Sequence, residues 1–248
     1  MFLDAYLTPY FPETEEQFND GIVVMIDVLR ASTTVCAALY NNAKEVISAD
    51  SPEKAVKIYS SLSKEVRFLG GEKNCIKVDG FDAGNSPAEY SDEIVNGKTV
   101  ILTTTNGTKI FQKAKFAKHK IVGAFVNFNS VLDYLSELVR NNENENQRVT
   151  LLCAGSNGRL AYEDTLCAGA YITLLKDRFS EIFELTDTAY AAKSLYKLHS
   201  HDLNEFLKSR HHASKLIELG FEDDVNTALT MDLFPVVPEM TGTSIKKI

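Results

Sequence analysis

Tryptophan is absent from the 248 residues, there are only 4 cysteines, and 26 lysines and arginines face 34 aspartates and glutamates, a formal net charge of −8. Each shortage excludes something. The acidic balance argues against a nucleic-acid or acidic-membrane surface, because phosphate backbones reward clustered Lys and Arg. Cys36, Cys75, Cys153 and Cys167 are scattered without the paired spacing of a zinc site and suit a reducing compartment. No stretch approaches the roughly 18 uninterrupted apolar residues of a membrane helix. The start, "MFLDAYLTPYFPETEEQF", lacks the basic opening and long apolar core of a signal peptide, so the expected location is the cytoplasm. The Gly-x-Ser-x-Gly turn of a serine hydrolase is missing, and nothing resembles a Ser-His-Asp set.

What remains is the composition of an ordered globular protein, 44% hydrophobic and 24% charged. The length suits one α/β domain over residues 1–248, or two α/β lobes meeting near 141–148, where "RNNENENQR" is polar and low in complexity. Three segments share one grammar, an apolar run, a small-residue polar loop and a helix-like pattern: "GIVVMIDVLRASTTVCAALYNN", "KTVILTTTNGTKIFQKA" and "VTLLCAGSNGRLAYEDTLCAGAYITLL". Near-continuous Val, Ile and Leu predicts strands buried on both faces, hence a three-layer α/β/α fold with a largely parallel or mixed central sheet. Such sheets place ligands beyond the carboxyl ends of their strands, so the three loops are expected to converge on one crevice. "SPEKAVKIYSSLS" and "NSVLDYLSELVRNN" read as amphipathic packing helices. "SRHHASKLIELGFEDDVNTALTMDLFPVVPEM" reads as helix, turn at Gly220, second helix and an extended end bounded by proline.

The loops carry the candidate chemistry. Asp27 stands where the first apolar run ends, as a hard-oxygen ligand for Mg²⁺ or as a helix N-cap acid. Arg30, Ser32, Thr33 and Thr34 beside it combine a guanidinium, hydroxyls and the N–H groups of a starting helix into an anion cradle. The second loop offers Thr104, Thr105, Asn106 and Gly107, either a tight turn or a phosphate loop; the Walker spacing is missing. The third contains Cys153 and Arg159 in the C-x5-R spacing of cysteine phosphatases. Leu152 stands where the usual histidine precedes the cysteine, and Cys153 reads first as a small buried strand residue. Glu163 and Asp164 are adjacent, so on a helix they diverge by about 100° and one is expected to face the site; the other reading is a pair complementing the helix dipole.

"FLGGEKNCIKVDGFDAGNSPAEY" is the densest loop, with Glu72, Lys73 and Asn85 as candidate substrate contacts or, more simply, parts of a surface Ω-loop. For the five histidines, solvated surface positions are the simpler account, the other being that His211 or His212 lines the site.

With these blocks in view the sequence resembles the 2-phosphosulfolactate phosphatase family. The similar stretches are "IDVLRASTTVCAAL", the dense loop just quoted, "GKTVILTTTNGTK", "CAGSNGRLAYEDTLCAG" and, more loosely, "HHASKLIELGFEDDV" with "VVPEM". The resemblance implies an α/β fold and Mg²⁺-dependent hydrolysis of 2-phospho-3-sulfolactate to 3-sulfolactate and phosphate, in a route toward coenzyme M. Carried over by position, the site would include Asp27, Arg30, Thr104, Thr105, Asn106, Gly107, Arg159, Glu163 and Asp164. On that footing Asp27 and one of Glu163 or Asp164 would hold Mg²⁺, with Arg30, Lys73 and Arg159 as counter-charges to a small, highly anionic substrate. Lys73, Asn74 and Cys75 depart from the family pattern, which has arginine and glycine-rich residues after "GGE"; lysine keeps the charge but loses the bidentate fork. A homodimer is compatible with the resemblance. An aspartyl-phosphate route would want a second acid two residues after Asp27, where Leu29 stands. Two readings outside Mg²⁺ hydrolysis are a metal-independent cysteine phosphatase using Cys153 and Arg159, and a non-catalytic binder of a phosphorylated metabolite.

Overall fold

The computed structural model describes residues 1–9, 18–141 and 148–248. The stretch expected to be a polar loop or the junction of two lobes falls largely on residues 142–147, outside the described residues. In chain order the elements are β1 (Phe2–Tyr6), β2 (Ile22–Ile26), α1 (Ala31–Tyr40), β3 (Glu45–Ser48), α2 (Pro52–Ser61), β4 (Arg67–Lys73), β5 (Ile76–Lys77), α3 (Asp92–Val95), β6 (Thr99–Thr103), α4 (Gly107–Lys113) and β7 (His119–Gly123). There follow α5 (Phe128–Arg140), β8 (Arg148–Cys153), α6 (Tyr162–Arg178), β9 (Glu184–Leu185), α7 (Asp187–His199), α8 (Leu203–Lys208), α9 (His211–Glu218), α10 (Glu222–Ala228), β10 (Pro238–Thr241) and β11 (Ser244–Lys247).

The strands form one mixed sheet in the order β5-β4-β6-β3-β11-β10-β7-β2-β8-β1-β9. It contains two parallel blocks, β4-β6-β3 and β7-β2-β8-β1-β9. The hairpin β10–β11 joins them, antiparallel to β7 on one side and to β3 on the other. Helices flank this sheet, as the three-layer α/β/α reading requires. The extended end expected at "FPVVPEM" leads into β10, the first strand of the seam of the sheet.

Side-chain alternation explains why the apolar runs are unbroken. Along β2, Ile22, Val24 and Ile26 enter a core shared with β1, β8, α5 and α6, whereas Val23 and Met25 enter a second core with Val46, Val100 and Leu102. Both faces are covered, so neither tolerates a polar residue. Each fully buried Val, Leu or Ile stabilises the fold by roughly 1.5–3 kcal/mol. α1 is buried along nearly its whole length, from Ala31 to Leu39, which its Ala, Ser, Thr and Cys content permits. α2 begins conventionally, with Ser51 Oγ accepting from Lys54 N at 3.3 Å and Pro52 in the first turn. The dense glycine-rich stretch is only partly loop: it opens as β4, running through Gly70 and Gly71 to Lys73 and turning into β5.

α6 and α7 pack closely at Gly169, where a Cβ would stand 2.2 Å from the Ala192 carbonyl oxygen and 2.8 Å from Tyr196 Cβ. Gly169→Ala should cost roughly 1–3 kcal/mol, overpacking outweighing a helix-propensity gain of about 1 kcal/mol. Urea unfolding reads this as a lower midpoint; an unchanged or raised midpoint would show that the helices move apart freely.

Candidate active site

A pocket opens where the chain leaves β2, β4, β6 and β8. Asp27, Leu29, Arg30, Glu72, Asn74, Cys75, Asn85, Thr104, Thr105, Asn106, Ser156, Asn157, His212, Lys215 and Leu216 line it. The three strand-end loops do converge, and a fourth wall comes from α9.

Asp27 lies at the centre of the arrangement. Its backbone N–H donates to Ser32 Oγ at 2.9 Å, its carbonyl accepts from Ser32 N at 2.8 Å, and its Oδ1 accepts from Ala31 N at 3.3 Å. The carboxylate thus sits at the start of α1, where it satisfies an orphan N–H. Its Oδ2 faces Gly107: a Cβ there would be 2.8 Å from Oδ2 and 2.6 Å from Ala31 Cβ. Only glycine lets the second loop approach the acid so closely. Thr104 N donates to Thr108 Oγ1 at 3.1 Å, holding that loop against the first turn of α4. Burial pushes the Asp27 carboxyl up to about 7, with Glu72 and Glu163 adding to the effect and His212 and the Ala31 N–H opposing it.

The neighbouring charges are committed to partners. Arg30, 4% exposed, donates from Nη1 to Asp224 Oδ2 at 2.5 Å and from Nη2 to the Cys75 carbonyl at 3.1 Å, with its guanidinium 4.3 Å above the Phe221 ring. Asp224 also accepts from Ser86 Oγ at 2.5 Å. Glu72 accepts from Cys75 N at 2.6 Å, from Thr105 N at 2.7 Å and from Thr105 Oγ1 at 3.1 Å, so it braces two loops. Ser32 and Thr33 turn their hydroxyls inward, Thr33 Oγ1 donating to the Val28 carbonyl at 2.8 Å. Asn85 Oδ1, by contrast, is buried and has no hydrogen-bond partner among the described residues.

Glu163 and Asp164 lie outside the pocket lining. Glu163 Oε1 is 2.5 Å from His212 Nδ1. Asp164 accepts from Val28 N at 2.8 Å with Oδ1 and from Gly155 N at 2.9 Å with Oδ2, tying the first loop to the third. Burial, Glu163 and Asp27 push Asp164 well above the usual carboxylate range, against those two donors. The two side chains take different protein partners, and neither of them lines the pocket, where one acid was expected. Arg159 is exposed and Lys73 is exposed at the end of β4; neither lines the pocket. Cys153 is fully buried, and burial, with Asp164 beside it, pushes its thiol well above the ordinary range, the opposite of an activated nucleophile.

Lys215 and Asp224 have no role in the sequence reading, and His212 enters it only as the alternative in which His211 or His212 lines the site. The available signal was spacing: His212, Lys215 and Leu216 stand at i, i+3 and i+4 and so share one face of α9. His212 is no solvated surface residue. Burial disfavours its charge, but hydrogen bonds to Cys75 and Glu163 and the charges of Glu163 and Asp27 outweigh that and raise it to about 10.

Mg²⁺ prefers hard oxygens and takes one or two carboxylates, leaving positions for water and substrate phosphate. Among the described residues no group of three or more His, Cys, Asp or Glu is placed as a ready-made cage. Asp27 Oδ2 in its glycine cradle and the orphaned Asn85 Oδ1 nevertheless fit that sparse protein share, whereas Asp164 has both oxygens and Glu163 its Oε1 engaged by protein groups.

Strand-end loops, a helix N-terminus and buried charges around one pocket are the arrangement in which α/β proteins place a small anionic ligand. The sequence matches the family described as 2-phosphosulpholactate phosphatase over residues 6–243. It is 37% identical to a probable 2-phosphosulfolactate phosphatase of Caldanaerobacter subterraneus subsp. tengcongensis, covering 97% of this chain and 95% of that protein. A protein of the same name from Clostridium perfringens strain SM101 is 40% identical over 100% of this chain and 97% of its own length, and one from Thermotoga maritima is 39% identical over 88% of each. The chain belongs to the 2-phosphosulpholactate phosphatase family.

Two measurements check the electrostatics. A carboxyl raised from 3.8 to about 7 contributes stability that is full below 3.8, declines through the interval and is lost above 7. In metal-free buffer Asp27→Asn should therefore gain stability over wild type as pH rises from 4 to 7 and hold the gain at pH 8; thermal melts that coincide at pH 8 would contradict it. His212, raised from 6.5 to about 10, contributes stability below 6.5 that is lost as pH rises through 10. Its imidazole NMR shifts should stay those of the protonated ring at pH 8 and titrate lower in Glu163→Gln; an ordinary histidine curve in wild type would refute the pairing.

Proposed function

We propose that the chain hydrolyses 2-phospho-3-sulfolactate to 3-sulfolactate and phosphate with the help of Mg²⁺, as in a route toward coenzyme M. The single observation that carries the reading is the juxtaposition of Asp27 Oδ2, the Gly107 approach and the unpartnered Asn85 Oδ1 in one pocket. Asp27 and Asn85 would hold the metal, whose positive charge would neutralise the phosphate oxygens. Phosphoryl transfer to water passes through a loose transition state, so catalysis is mainly positioning and charge neutralisation. Asn106 and the Thr104 hydroxyl supply neutral donors to the phosphate from a loop that Glu72 braces through Thr105. His212, protonated at neutral pH and oriented by Glu163, stands ready to donate its proton to the departing 2-hydroxyl oxygen. Arg30 acts through its ion pair with Asp224, fixing the first loop.

The four cysteines of the chain are free, which supports a cytoplasmic setting. Among the described residues no helix is long and apolar enough to cross a membrane. The partner is a small phosphorylated anion, and the acidic surface suits no nucleic acid.

Phosphate release from 2-phosphosulfolactate should require Mg²⁺, stop in EDTA and survive Cys153→Ser. Asp27→Asn should lower kcat by about 10²-fold or more, the usual scale for losing a charge-stabilising group. Release that ignores EDTA and vanishes in Cys153→Ser would restore the cysteine mechanism. Tight binding of the ester without release would make the protein a binding module.

A further inference from the structure

We propose that Lys215 is the specificity residue for the sulfonate of the substrate. The inference rests on the reaction just proposed and adds to it the group that reads the end of the molecule not being hydrolysed.

The charges lining the pocket divide into committed and uncommitted. Arg30 is neutralised by Asp224 at 2.5 Å and His212 by Glu163 at 2.5 Å. Asp27 and Glu72 add negative charge to the wall. Lys73 and Arg159, the counter-charges suggested by sequence, lie outside the lining. Lys215 lines the pocket, is half-buried, and makes no ion pair among the described residues. Among the described residues it is the one cationic side chain of the wall without a carboxylate of its own. A substrate carrying phosphate, carboxylate and sulfonate brings more negative charge than a single divalent ion at Asp27 offsets, and desolvating an uncompensated anion is costly.

The position of Lys215 suits the sulfonate. It stands one turn beyond His212 on the same face of α9, so a molecule whose leaving oxygen meets His212 presents its adjoining carbon toward Lys215. The ammonium is a compact point charge on a flexible stem, matched to a three-fold sulfonate head, whereas a planar carboxylate is better read by a fork of donors. Leu216 beside it gives the methylene that carries the sulfonate an apolar surface.

The test compares 2-phosphosulfolactate with 2-phospholactate, which keeps the phosphate and carboxylate but lacks the sulfonate. Lys215→Gln should raise KM for 2-phosphosulfolactate about tenfold more than KM for 2-phospholactate and change kcat less than KM, with Lys215→Arg recovering most of the loss, the scale of one partly buried charge pair. Equal KM increases for both esters would overturn the proposal by assigning Lys215 to the phosphate or carboxylate. A fall in kcat without a KM difference, or no effect, would overturn it as well. If the wild type releases phosphate from neither ester, the reaction assignment fails and this role with it. If wild-type turnover is intact and discrimination between the esters survives Lys215→Gln, only Lys215 is wrongly assigned.

Discussion

The buried charges at the carboxyl edge of the sheet govern the rest of the molecule. Asp27, Arg30, Glu163 and Asp164 are each 5% exposed or less, and a charge so far from water is tolerated only when paired and hydrogen-bonded. Asp164 is satisfied by backbone donors from two loops. Arg30 and Glu163 find their partners much farther along the chain, in Asp224 on α10 and His212 on α9. The two ion pairs therefore dock the C-terminal helices over the strand ends, and that docking completes the wall that a substrate would meet. Removing one member of such a pair strands the other, so the pairs specify where α9 and α10 sit more than they add net stability.

This arrangement also separates two kinds of conspicuous polar residue. Glu72, Ser32, Thr33, Asp164 and Arg30 hold loops in register, with their donors and acceptors turned toward protein. Asp27 Oδ2, Asn85 Oδ1 and Lys215 are the groups left facing inward with capacity to spare. An acid with spare capacity inside a protein is unstable where it stands, which is why the same Asp27 that is expected to hold a cation weakens the metal-free fold above neutral pH.

Much of the core was legible in the sequence because it is written in local pattern. The unbroken Ile22–Ile26 run could be buried on both faces only in a covered sheet, and the loop after it had to lie at a strand end. Asp27, Asn106 and Gly107 followed from that placement, and so did the convergence of the loops. The family resemblance pointed to the same loops and supplied the chemistry. What could not be read was long-range pairing. Nothing near Glu163 says that its partner is His212, and nothing near Arg30 names Asp224, so acids and arginines held in structural pairs were indistinguishable from groups available to a ligand. The polarity of Arg159 and Lys73 was a poor guide for the converse reason, since surface cations and pocket cations look alike in sequence. The dense glycine stretch misled in a third way: Gly70 and Gly71 signal a loop by composition yet continue β4, their strand character imposed by pairing with β6.

The seam formed by β10 and β11 bears on how the molecule comes into being. Both strands are synthesised later than every strand they join, so β3 and β7 have open flanks while the intervening chain emerges. Open flanks of apolar strands invite pairing with other chains. The two parallel blocks can each begin to gather around their own helices, but they become one sheet only when the hairpin arrives. Its few residues, remote from the pocket in sequence, thus decide when a growing chain ceases to be a hazard to its neighbours.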